Sequence, residues 1–214
     1  MGAYSKENVG RLLRAGLAKL SELLSRFVPV DVYELTDPAA KDAQGLVANF
    51  TSAAGTRTDT SFVAGGVAAL AAYPRNVYVT TGAGGTPTQG YTSVVITGTD
   101  IDGNALTETI SSLNANGTYV GAKCFKTVTS AAWSGGTGTG ATQSLGFHDT
   151  FGLPWSVVER TGKPALVREL MDGAPAATAG TLTTAASSAP YGSWAPNTIA
   201  NGAHDYALYL ERAV

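Results

Sequence analysis

The densest set of groups able to do chemistry is Asp100-Ile101-Asp102-Gly103-Asn104, with Glu108 four residues on. Carboxylate and amide oxygens at this spacing are the hard ligands that Ca²⁺ takes. An EF-hand loop, however, sets its glycine sixth and a bidentate Glu twelfth, between two helices. Here the glycine is fourth and both flanks read as strands, so a hairpin turn is the expectation. His148 and His204 are the only histidines, each followed by Asp. Neither belongs to an H-x-x-x-H pattern or stands near a cysteine pair, so no metal site is expected. Cys124 is the only cysteine. It lies in a β-type run between Lys123 and Phe125, where a small buried hydrophobe is expected and no motif supports a nucleophile paired with His148. Gly162-Lys163 runs into Pro164 and lacks the upstream glycine of a phosphate loop, and Ser134–Gly140 reads as a glycine-rich loop. Trp133, Trp155, Trp194 and Tyr191 suit either core packing or an aromatic platform for sugars. No catalytic residue, cofactor or metal follows from these patterns, and a non-enzymatic chain is expected.

Composition points the same way. The 214 residues can bury a sizeable core. Charged residues make up only 14%, Gly numbers 26, and the net charge is −2. So few charges suit strands packed against other protein, and the balance offers no basic field for nucleic acid. One cysteine allows no internal disulfide. No signal peptide and no apolar run long enough to cross a membrane are read, so neither nucleic acid nor membrane is an expected partner.

The elements that would position these groups fall into three parts. Residues 1–29 hold an amphipathic helix over Ser5–Phe27, capped by Ser5, stapled by Tyr4 and Val9, and ended by Pro29. Leu13, Leu17, Leu20, Leu24 and Phe27 continue an apolar stripe and are the expected interface residues. Lys6, Arg11, Arg14, Lys19 and Arg26 outnumber Glu7 and Glu22 on the polar face. Residues 30–72 have few large apolar anchors and read as an extended arm or loop, with a short strand at Val30–Leu35. Residues 73–214 read as an antiparallel β-body, a sandwich or small barrel of about nine to eleven strands. Its centre is a hairpin from Val94-Val95-Ile96 through Asp102-Gly103 to Leu106–Ile110, and Asn116-Gly117 is expected to make a second hairpin turn. The run from Asp205 to Glu211 alternates into a final strand ending near Arg212 and expected to pair with this main core.

Several phrases of this body carry a resemblance. PRNVYVTTG (74–82), VVITGTDIDGNALTETI (94–110), GTYVGAKCFKTVTSAAW (117–133) and SLGFHDTFGLP (144–154) resemble an arrangement in tailed-bacteriophage virion proteins. GSWAPNTIANGAHDYALYLE (192–211) continues it, so the match spans 74–154 and 189–211. The whole resembles capsid decoration (cement) proteins. That resemblance implies a structural role on the capsid exterior after assembly in the host cytoplasm, a homotrimer, and the major capsid protein as partner. Its phrases are hairpins and carry no catalytic signature. A tail or head-fibre component touching the host surface, and a carbohydrate-binding β-module using Trp155, Trp194 and Tyr191, are the alternative readings.

Overall fold

The structure is a computed structural model that describes residues 30–82, 89–157, 165–184 and 191–212. The expected helix of Ser5–Phe27, with its interface residues Leu13, Leu17, Leu20, Leu24 and Phe27, lies outside the described residues, as does the Gly162-Lys163-Pro164 turn. In chain order the elements are β1 (Val30–Leu35), β2 (Asp42–Thr51), β3 (Gly55–Asp59), α1 (Ala64–Ala72), β4 (Arg75–Gly82), β5 (Ser93–Thr99), β6 (Ala105–Ser111), β7 (Gly117–Phe125), β8 (Thr127–Gly136), β9 (Thr142–Gly152), β10 (Leu166–Met171), β11 (Ala174–Pro175), β12 (Thr181–Thr183), β13 (Ser193–Ala195) and β14 (Tyr206–Glu211). The chain is mainly β, and every pairing among the described strands is antiparallel.

The hairpin sheet has the order β3-β8-β5-β6. In it Val94 sits opposite Ile110 on one side and Trp133 on the other, as strict alternation along β5 requires. Asp100 closes the β5–β6 turn: its Oδ1 accepts the N–H groups of Asp102 and Asn104 at 2.9 Å each. Gly103 takes φ 84°, a conformation that costs glycine little. The central sheet runs β12-β13-β9-β4-β7. β9 is its spine, giving one edge to β4 and the other to β2 and then β13. Between the two sheets lie Leu46, Val77, Val79, Ile96, Trp133 and Leu145, all buried. Each such side chain contributes about 1.5–3 kcal/mol by leaving water. The sheets curl toward a half-barrel, and the Glu108 carboxylate of β6 spans one seam by accepting the Ala122 N–H of β7 at 2.6 Å.

The terminal sheet has the order β1-β14-β10-β11. Its inner face, with Leu35, Tyr206, Leu208 and Leu210, packs on Phe151, Leu153 and Trp194 at the end of the central sheet. Here the final strand departs from expectation. It pairs with β1 and β10 in a sheet of its own and meets the main core only through side chains.

The stretch read as an arm or loop, 30–72, is woven into the body: β1 pairs with β14, β2 with β9, and β3 with β8. Its pattern was obscured by register shifts in β2 after Asp42 and Val47, which break the apolar alternation. α1 has no side-chain cap and only Gly66 and Leu70 buried, so its sequence carries no helical stripe. It sits where it does because Gly66 lets its backbone meet the Gly45 carbonyl, a space that a Cβ would fill. Asn116-Gly117 is not a hairpin turn. β6 and β7 belong to different sheets, and the chain there crosses from one to the other.

Candidate interaction surface

The face that stands out is the outer side of the terminal sheet. Alternation buries Tyr33 and Leu35 of β1, and it turns Val30, Val32 and Glu34 the other way. Strand register lines up Val32 with Tyr209 and Arg168, and Glu34 with Ala207 and Leu170, on that same outer side. Val30, Val32 and Val167 keep 44%, 41% and 54% of their surface exposed, unusual for valines in paired strands. The Arg168 guanidinium lies 5.9 Å from the Tyr209 ring centre, so its apolar stem adds to the patch.

Near the C-terminal end of β1 the face sinks into a hollow of about 190 Å³ lined by residues including Glu34, Thr36, Leu170, Gly173 and Ala207. The surroundings are acidic. Asp205 lines the hollow, and its Oδ1 accepts the Asp37 N–H at 3.0 Å. Asp172, in the β10–β11 turn, accepts the Asp205 N–H at 2.9 Å and lies 2.8 Å from His204 Nδ1. The backbone donor first, and His204 second, hold the Asp172 carboxyl below its ordinary range. An apolar strip ending in fixed negative charge is suited to holding an amphipathic, basic segment of protein.

The residues singled out from sequence are dispersed. The Asp100 oxygens are used by their own turn, including 3.2 Å from the Asn104 amide, and Asp102 Oδ2 accepts the Tyr191 hydroxyl at 2.6 Å. Glu108 faces β7 and not this turn. Burial raises its pKa, and the N–H groups of Ala122 and Lys123 partly counter that. Among the described residues no three His, Cys, Asp or Glu side chains group as a metal site. Cys124 is buried, and burial pushes its thiol up to about 12, far from a reactive thiolate. Trp133 and Trp194 are fully buried, with their indole N–H groups directed to Asp59 and Glu169. Trp155 is half-buried against Tyr33 and Arg212. The three tryptophans form no exposed platform.

Sequence reading missed the polar groups that fix the body. Arg75 and Asp149 form a buried pair at 2.8 Å. Arg57 binds Asp59 at 2.7 Å and lies 3.9 Å from the Phe50 ring centre. Asp59 in turn accepts the Trp133 N–H at 2.9 Å. The only sequence trace of the first pair is an arginine opening a strand that holds no other charge.

His148 offers a pH test. It sits edge-on to the Tyr78 ring at 5.2 Å, with Asp149, Lys41 and Arg75 as the charged groups acting on it. Burial is the largest influence and lowers its pKa below the ordinary 6.5, despite Asp149. The unfolded chain then takes up this proton more readily than the folded one, so stability present above about pH 6.5 is lost as pH falls below it. Thermal midpoints measured against pH should therefore decline more steeply in the wild type than in His148→Gln. Superimposable profiles would refute this.

Comparison of the chain with protein-family models, with curated proteins and with solved structures gives no match.

Proposed function

We propose that this chain is a non-enzymatic structural protein of a tailed-phage virion, a capsid decoration protein that binds the major capsid protein lattice from outside and stabilises the head. The observation that supports this reading is where the resembling phrases fall. PRNVYVTTG spans β4, VVITGTDIDGNALTETI makes the β5–β6 hairpin, GTYVGAKCFKTVTSAAW makes β7 and β8, and SLGFHDTFGLP carries β9. They therefore form one continuous body, and the fifth phrase adds β13 and β14. A decoration protein needs a body that keeps its shape under load and a surface with little charge to desolvate. Antiparallel sheets packed around two buried apolar clusters and 14% charged residues meet both needs. A homotrimer is part of the proposal, because closed symmetry lets each copy shield its neighbours' strand edges.

Light scattering tests it, on the purified protein alone and after mixing with capsids stripped of it. The expected result is a trimer that rebinds and raises the shell's resistance to heat, as any ligand of the assembled state must. A monomer that ignores shells overturns the reading.

A further inference from the structure

We infer that the apolar stripe of residues 5–27 packs within its own chain, along the outer face of β1, β14 and β10. The described residues begin at Val30, the first residue of the strand that edges this face. Only Val28 and Pro29 separate Phe27 from it, a connection within the two to six residues usual between a helix and a strand. So short a link returns the predicted helix over the strand it joins.

The dimensions agree. At 1.5 Å per residue, Leu13 to Phe27 covers about 21 Å, and a six-residue strand runs about 20 Å. A helix about 10 Å wide fits three strands spaced about 4.8 Å apart. With Phe27 over Val30, Leu24 falls near Val32 and Leu17 comes over the hollow beside Ala207. The charges agree as well. The hollow is bordered by Glu34, Asp205 and Asp172, and Arg14, one turn from Leu17 on the flank of the stripe, is the cation that comes beside it. The exposed valines then become the floor of an intrachain contact, and the basic face of the helix is what the protein presents outward. This inference stands apart from the capsid reading, because stripe and sheet belong to one chain.

Cysteine trapping in the full chain tests it, in a Cys124→Ala background. Leu17→Cys combined with Ala207→Cys should, on mild oxidation, give a disulfide inside one chain, read as a monomer mass under non-reducing denaturing conditions and unchanged by dilution. Leu17→Cys with Val120→Cys is the control, since Val120 lies on β7 of the central sheet and is 51% exposed. It should give no internal bond. If the first pair does not fold, Leu24→Cys with Val32→Cys reads the same contact. Bonds that join two chains would assign the stripe to a second copy and overturn the inference. Failure to bond, or equal bonding to Val120, would overturn it too.

Discussion

Asp149→Ala is expected to cost about 3–5 kcal/mol of stability, the loss typical of stripping one partner from a buried ion pair. Arg75 is 1% exposed and is held on every side. Its Nε and Nη1 donate to the carbonyls of His148 and Ala39, at 2.6 Å each, and Nη2 meets Asp149 at 2.8 Å. The rings of Phe147 and Phe151 flank the guanidinium at 4.6 and 4.7 Å. Burial already draws the Arg75 pKa down to about 10, against the pull of Asp149. Without the carboxylate, a cation remains in the core with two carbonyls and no counter-charge. The double change Arg75→Met with Asp149→Leu removes both charges while keeping volume, and it should be far milder than the single one. Urea midpoints for the three proteins decide the matter. A single variant within about 1 kcal/mol of wild type would mean that the pair behaves like a surface salt bridge.

Trp194→Ala should be comparably severe, about 3–5 kcal/mol, because it empties the space between the terminal and central sheets. The indole is fully buried, 6.0 Å from the Phe151 ring and 5.3 Å from that of Tyr206. Its N–H points at Glu169 Oε2 at 3.4 Å, and that oxygen also accepts the Gly180 N–H at 2.7 Å. The variant therefore also weakens the partnering of a buried carboxylate. Denaturant unfolding gives the magnitude, and Trp fluorescence of the folded wild type against polysaccharides gives the contrast. A carbohydrate-binding role for Trp194 requires a glycan response in wild type that is lost without a loss of stability. The burial described here calls for the opposite, a large stability loss and no glycan response to lose.

How much of this was legible depended on whether side-chain alternation alone set the geometry. Val94, Ile96, Ile110 and the Asp102-Gly103 turn were readable because apolar period and turn chemistry agree there. Val30–Leu35 and Tyr206–Glu211 were readable as strands for the same reason, although their pairing with each other was not, since nothing local encodes it. β3 hid because its inward positions are Arg57 and Asp59, polar residues made acceptable by each other and by Trp133. α1 hid because backbone proximity at Gly66 fixes it and not periodicity. Arg75 and Asp149 stand 74 residues apart, and only the completed sheet brings them together. The apolar stripe of the N-terminal residues was plain in sequence. The face offered to it came into view only when β1 was seen to edge a sheet with exposed valines.

The pairing of β1 with β14 also sets an order of events during synthesis. Asp31 and Arg212, bonded at 3.2 Å, are 181 residues apart, so β1 leaves the ribosome long before its partner exists. At about 5–20 residues per second that wait is on the order of ten seconds or more. The hairpin and central sheets, whose strands lie between, can close in that interval, and the terminal sheet is completed last. Until then the valines of β1 and the leucines before it travel together on an unfinished chain. A chain stalled or shortened between β13 and β14 would carry the interior of the body folded and this one sheet open. Premature stops between β13 and β14 therefore yield species prone to aggregate, with the sticky edge always at the same end.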